Sequence, residues 1–560
     1  MPSISIGQYL LNRLKEVNIS TVFGVPGDFN MPLLDLIEDD KELLWGNNAN
    51  ELNASYAADG YARIRGAGAV VTTFGVGELS AVNGIAGSYA EMLPVIHIVG
   101  TPSTKSQAAG AMLHHSLGDG NFDVFYQMSA KITAASTHLR KQNALSEIDR
   151  VISKAVLAKR TGYIGIPIDL INMEVEIPDQ LPPLLVNLPK NPEQTQEIAL
   201  KVVTDAIAKA SHPVIIVDGC VLRHGCQKEV EALIKRSGFP TYVAPMGKGA
   251  VDETLVNYRG CYSGNITLES IDKEIHKADL IIEVGSVKSD FNTGNFSYSL
   301  DRSKTITLHS FATIVFCAEY QKVSMMEFIP LLIAALPEKP RSFELGPRGK
   351  PEAIKEGNEI THNYFWNKVP EFMEENAIIC AETGTAEFAC LNMDGPKGST
   401  YITQFVWGSI GFSVGAAVGA ALADRSRRVY LFVGDGSFQL TAQELSVFLR
   451  HGLTPVIFLL NNDGYLIEKL IHGPHRSYNN FQMWEYSKAL DFFGGRLEKN
   501  LANGSTPVGF EGKVTNRNEF EEAMKTVQSQ PNKIHFVEVI MPQFDAPREL
   551  ELLVALSENR

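Results

Sequence analysis

The chain has 560 residues, 44% of them apolar and 20% charged, which is too long for one hydrophobic core and ordinary for a globular protein. A formal charge of −14 argues against nucleic-acid binding, which needs clustered Lys and Arg, and leaves small anionic substrates open. No run reaches the ~18 apolar residues of a membrane helix. The start shows no basic and apolar leader pattern, and six cysteines without a C-x-x-C pair point to reduced thiols, so a cytoplasmic protein is expected.

Strands and helices placed by period fall into three α/β blocks, expected at 1–180, 195–340 and 360–560, each a mainly parallel sheet flanked by helices. In the first block, strands are predicted at 21–24, 69–74 and 95–99, and helices at 51–65 and 79–92. Glu51 stands where a loop enters the Ala-rich helix, a place that the helix dipole alone would explain. A Pro-rich linker spans 179–193. The middle block, with strands expected at 212–217, 280–284 and 305–309, has no Gly-x-Gly-x-x-Gly fingerprint and reads as a structural or regulatory spacer. Cys220, just past the first of these strands, reads as a small buried hydrophobe. A second Pro-rich linker, 337–351, precedes the third block.

The third block carries the chemistry. Segments 428–433 and 454–460 read as adjacent buried parallel strands. Gly434-Asp435-Gly436-Ser437 follows the first and Asn461-Asn462-Asp463-Gly464 follows the second, with 24 residues counted from Ser437 to Leu460. Either loop alone is an ordinary turn. Together, after two strands of a parallel sheet, they sit where such sheets bind ligands. Mg²⁺ wants octahedral oxygens. Asp435 offers a carboxylate, Asn462 a side-chain carbonyl and Gly464 a backbone carbonyl, which leaves room for two diphosphate oxygens and a water. Gly436 and Ser437 offer N–H groups to phosphate as the chain turns toward a helix expected around 441–451. This is the thiamine diphosphate signature in its proper context. The segment 544–556 reads as an amphipathic helix behind a Pro.

Longer motifs extend the likeness: Val22-Phe23-Gly24-Val25-Pro26-Gly27-Asp28, Asn50-Glu51-Leu52-Asn53-Ala54, Thr73-Phe74-Gly75-Val76-Gly77-Glu78, His114-His115-Ser116-Leu117-Gly118, Trp407-Gly408-Ser409-Ile410-Gly411 and Ile467-Glu468-Lys469-Leu470-Ile471-His472-Gly473-Pro474. Over nearly its full length the chain resembles the pyruvate decarboxylase family of thiamine-diphosphate-dependent 2-oxo acid decarboxylases. The resemblance implies a thiamine-diphosphate-binding fold, with thiamine diphosphate and Mg²⁺ as cofactors and nonoxidative release of aldehyde and CO₂ from pyruvate or a larger branched or aromatic 2-oxo acid. It implies that Glu51 activates the cofactor, that the Gly408 carbonyl accepts from the aminopyrimidine, that Ile410 is an apolar wedge, and that Thr383, Thr385 and Ser409 flank the cofactor. Asp28, His114, His115 and Glu468 then form the proton-transfer set, whose protons titrate as a cluster. Glu51 and the diphosphate loops meet across a subunit interface, so the working unit is a homodimer or a dimer of dimers, and the terminal helix lids the site.

Where the family has small or apolar residues lining the substrate pocket this chain reads Ala386-Glu387-Phe388, so Glu387 joins Ile467 and Ile471 as pocket candidates. An ionised Glu387 would repel an anionic substrate. It therefore points away, is protonated, or meets a hydrogen-bonding or cationic tail. Leu466, where the family often has Thr, and Met92-Leu93-Pro94 hint at a wider pocket. The runner-up reading is an acetolactate-synthase-type carboligase, which shares the cofactor site; a silent cofactor sensor would need only the diphosphate loops.

Overall fold

The computed structural model describes residues 2–501 and 505–557; Met1, 502–504 and 558–560, which fall within the first and third blocks, lie outside the described residues. Three sheets account for the three blocks. The first has six strands, all parallel, in the order Leu44–Trp45, Thr21–Gly24, Gly68–Thr73, Val95–Thr101, Gly162–Pro167, Ala135–His138. Gly68–Thr73 and Val95–Thr101 are buried at every position, because helices cover both faces and leave no polar side to alternate with.

The middle sheet runs Tyr258–Cys261, Thr241–Val243, Pro213–Val217, Leu280–Val284, Thr305–Leu308, and then closes with Ala312–Val315 and Ala318–Gln321, which pair antiparallel at its edge. The third is parallel throughout, ordered Thr400–Ile402, Ile378–Ala381, Val429–Gly434, Val456–Asn461, Ile534–Ile540, Val508–Val514. No helix among the described residues is long and apolar enough to cross a membrane.

The first and third blocks share one core. Helix Glu51–Arg65 packs against helix Phe412–Ala423, which is buried at every position, and the contact is built from alanines, glycines and the rings of Tyr56 and Phe412. Small side chains on both partners let the two helices pack closely enough to exclude water, so the helix that begins at Glu51 is braced on the sheet that ends in the two signature loops.

Two helices start earlier than periodicity predicts. The helix expected at 79–92 runs Val76–Ala90, because the Glu78 carboxylate accepts the Gly75 N–H at 2.9 Å and caps the first turn. The helix expected around 441–451 is a broken pair, Asp435–Thr441 and Leu445–Arg450, joined by the 3₁₀ turn Ala442–Glu444. Strand Val429–Gly434 passes straight into helix at Asp435, an acid in the first turn, where the dipole favours it. The terminal helix, Arg548–Ser557, packs on helices Thr385–Ala389 and Leu466–Ile471 through Leu550 and Leu553.

Candidate active site

Strands Val429–Gly434 and Val456–Asn461 are parallel neighbours, with Gly434 opposite Leu460 in register, so their following loops emerge side by side. The loops touch: the Gly464 N–H donates to Asp435 Oδ2 at 3.1 Å, while Oδ1 takes the N–H of Gly436 at 2.8 Å. Gly464 sits at φ 126°, a backbone that L side chains rarely adopt. A cavity of about 400 Å³ opens beside these loops. Of the residues singled out in the sequence, Thr383, Thr385, Gly408, Ile410, Asp435, Gly436, Ser437, Asn462, Gly464, Ile467, Glu468 and Ile471 line it.

Asp435 is 2% exposed and meets only backbone N–H groups; burial pushes its carboxyl up to about 6, against the pull of those donors. A buried carboxylate without a cation is costly. With the Asn462 amide and the Gly464 carbonyl it makes an all-oxygen set suited to a hard divalent ion. Thr383 lines the same cavity with its buried hydroxyl unpartnered among the described residues. These residues fit Mg²⁺ and a diphosphate.

Ser409 does not line the cavity: Gln404 holds its N–H at 2.8 Å, and its hydroxyl pairs with Tyr56 Oη at 2.6 Å. Glu387 is corrected outright as a pocket residue. It is fully buried outside the cavity wall, neither carboxyl oxygen has a hydrogen-bond partner among the described residues, and burial, reinforced by Glu91 and Glu382, holds its carboxyl well above the usual range. Met92 does not reach the cavity either; its sulfur lies 3.9 Å from the Cys220 thiol, which burial raises to about 12.

Residues that sequence reasoning passed over also line it, among them Asp290 and Phe291 from the middle block, Glu382 and Phe405. The middle block is therefore more than a spacer. Phe291 meets Phe388 edge-on, with centroids 5.4 Å apart. Glu382 accepts the Ser413 hydroxyl at 2.6 Å, and burial raises it to about 7. An acid directly after the apolar strand Ile378–Ala381 was a readable signal for Glu382; Asp290 and Phe291 left none.

The remaining candidates form a second cluster outside this cavity. His114 Nε2 lies 2.6 Å from Asp28 Oδ2, and His115 Nε2 lies 3.9 Å from Oδ1. The His114 ring stacks on Phe29 at 5.2 Å. Glu51 is half-buried at the start of its helix, and burial raises its carboxyl above the ordinary value. The candidates thus fall into two groups on one chain: Asp435, Asn462 and Gly464 with Glu468 at the cavity, and Glu51, Asp28, His114 and His115 outside it.

Comparison with known proteins agrees with this layout. Residues 4–123 match the thiamine pyrophosphate enzyme N-terminal TPP binding domain, 200–316 the central domain, and 382–539 the C-terminal TPP binding domain. Pyruvate decarboxylase isozyme 3 of Saccharomyces cerevisiae is 41% identical over 560 residues, covering 98% of both chains. Isozyme 2 of the same yeast is 43% identical over 565 residues, again covering 98% of each. A putative pyruvate decarboxylase of Schizosaccharomyces pombe is 43% identical over 564 residues, covering 98% of this chain and 97% of its own. Likeness of that extent, over all three blocks and both signature loops, means that the chain belongs to the pyruvate decarboxylase family of thiamine-pyrophosphate-dependent enzymes.

Proposed function

We propose that this 2-oxo acid decarboxylase releases aldehyde and CO₂ at a site completed by two subunits, with pyruvate as the first substrate to test. Asp435, Asn462 and Gly464 hold Mg²⁺, and the N–H groups of Gly436 and Ser437 take diphosphate oxygens. Bound thiamine diphosphate supplies the nucleophilic carbon and the electron sink. Gly408, with its carbonyl, and Ile410, with its apolar side chain, both lining the cavity, would hold the cofactor's aminopyrimidine end. Glu51, whose carboxyl burial raises above its ordinary value, would hydrogen-bond the pyrimidine ring nitrogen of the bound cofactor.

Phe291, Phe405, Leu466, Ile467 and Ile471 make the substrate end of the cavity apolar. Low polarity favours loss of a charged carboxylate over its retention. Asp28 with His114 and His115 on one side, and Glu468 on the other, deliver a proton to the product carbon and remove one from its hydroxyl. The position of Glu387, buried behind the cavity wall, removes the reason to expect a cationic or hydrogen-bonding substrate tail, whereas the apolar Leu466 suits aliphatic and aromatic ones.

Support for the two-subunit site is the division of the residues itself. Exposed apolar side chains accompany it: Val76 and Leu79 on helix Val76–Ala90, and Trp407, whose indole N–H donates to Asn83 of the same helix at 2.9 Å. The six cysteines are unpaired, in keeping with a cytosolic setting.

The observation that carries the proposal is the contact between the two signature loops over a cavity in a chain of this family. Purified protein with Mg²⁺ and thiamine diphosphate should release aldehyde from pyruvate, 2-oxoisovalerate, phenylpyruvate or indolepyruvate. Absence of CO₂ from all four ends the proposal; acetolactate as the main product from pyruvate moves it to the carboligase branch.

A further inference from the structure

One turn, Gly75 to Gly77, lies against both His115 and Glu51. Gly75 sits at φ 68°, and a methyl there would lie 2.0 Å from the His115 carbonyl oxygen. A methyl on Gly77 would lie 3.0 Å from Glu51 Oε1. Any shift of this turn therefore reaches His115 and Glu51 together.

What holds the turn is Glu78. Its Oε1 accepts the Gly75 N–H at 2.9 Å and its Oε2 accepts the Tyr163 hydroxyl at 2.9 Å. The side chain is 0% exposed, and no lysine or arginine pairs with it among the described residues. Two neutral donors only partly offset the burial of a carboxylate, and a glutamine, with one oxygen and one NH₂, could accept from only one of them. Burial accordingly raises Glu78 to about 7, so it changes charge in the physiological range. The titratable groups near the clamp are Glu51, beside Gly77, and those around Tyr163. The Tyr163 ring lies 5.6 Å from His97, 5.6 Å from Tyr126 and 6.3 Å from His138, which is paired with Asp123 at 3.3 Å.

We propose that Glu78 is a positioning residue: its carboxylate and Tyr163 clamp the Gly75–Gly77 turn, and protonation of Glu78 loosens the clamp and displaces Glu51 and His115 in concert. When Glu78 is protonated, its hydroxyl and that of Tyr163 compete to donate, and the bond to Gly75 loses the strength that an ionised acceptor gives. This inference rests on the decarboxylase reading only for its kinetic consequence; the clamp itself is a property of the turn.

The test compares the holoenzyme with Glu78→Gln and Tyr163→Phe in two readouts. In amide hydrogen exchange corrected for intrinsic rates, peptides covering 73–79 and 114–116 of the parent should exchange about threefold faster at pH 6 than at pH 8, while Glu78→Gln is fast and flat across that range. In steady-state assays Glu78→Gln should lower kcat about tenfold at pH 8, change KM little, and lose the acid limb of the parent profile. Tyr163→Phe removes one stabilising donor and should move that limb up by about one pH unit. A Glu78→Gln protein with the parent's pH dependence in both readouts overturns the clamp. Should Glu78→Gln fail to fold, an unmoved limb and unmoved exchange in Tyr163→Phe overturn it instead. If no 2-oxo acid is turned over by the parent, the functional reading fails, and the exchange measurements still decide the clamp.

Discussion

Glu387 follows Thr385 by two positions, and two steps along a helix turn a side chain by ~200°. Thr385 faces the cavity, so Glu387 points behind it, into the buried ground around Glu91 and Glu382. Its folded-state carboxyl lies above the ordinary 4.5, so the native state holds the proton more tightly than the unfolded chain, and stability falls as pH rises past that value. Glu387→Gln lacks this loss. Thermal denaturation should therefore show a larger gain in Tm for Glu387→Gln over the parent at pH 8 than at pH 5, with a slope of at most ~1.4 kcal/mol per pH unit. Equal shifts at both pH values would mean that the carboxyl is paired. Glu51 belongs to the same scale and predicts the opposite outcome for function. Glu51→Gln should cut kcat by ~10²–10⁴ while isothermal titration with Mg²⁺ and thiamine diphosphate still detects binding; unchanged turnover would remove Glu51 from the chemistry. The meeting of the two signature loops was legible because each follows an apolar strand, and the two strands are neighbours in one parallel sheet. The orientation of Glu387 was not, because residue type does not fix which way a short helix, Thr385–Ala389, faces.

At the scale of elements, strands read well where both faces are covered: Leu280–Val284 agrees with the expected span, and Pro213–Val217 differs from it by one residue. Helix starts read poorly wherever a glycine precedes a capping or first-turn acid, as at Gly75 with Glu78 and at Gly434 with Asp435. Asp290 and Phe291 were illegible because they lie in an aperiodic stretch, and only tertiary packing carries them to the cavity. The terminal helix packs on Thr385–Ala389 and Leu466–Ile471, the two helices that supply Thr385, Leu466, Ile467, Glu468 and Ile471 to that cavity. Leu550 and Leu553 are 1% and 5% exposed, and truncating such side chains costs ~2–5 kcal/mol each. Leu550→Ala with Leu553→Ala should undock the helix before it unfolds the domain. The expected result is faster amide exchange over 466–471 together with a fall in kcat/KM; kinetics unchanged despite the faster exchange would make the helix a bystander.

For the whole molecule, the division of the reacting groups sets the strongest constraint. Helix Glu51–Arg65 is anchored on Phe412–Ala423, so Glu51 has a fixed place on the same body as the diphosphate loops, yet it does not line their cavity. Under the proposed two-subunit arrangement, an isologous interface would resolve this by supplying each cavity with the other subunit's Glu51, and the exposed Val76, Leu79 and Trp407 are candidates for that interface. Complementation separates this arrangement from a site within one chain. Glu51→Gln and Asp435→Ala homodimers should each be nearly inactive. In a hybrid of the two, one cavity combines an intact Glu51 with an intact Asp435 and the other combines both defects. Half of randomly reassorted dimers are hybrids with one working site of two, so the mixture should recover ~25% of parental activity. If both groups act within one chain, every chain in the hybrid carries one defect and no activity returns.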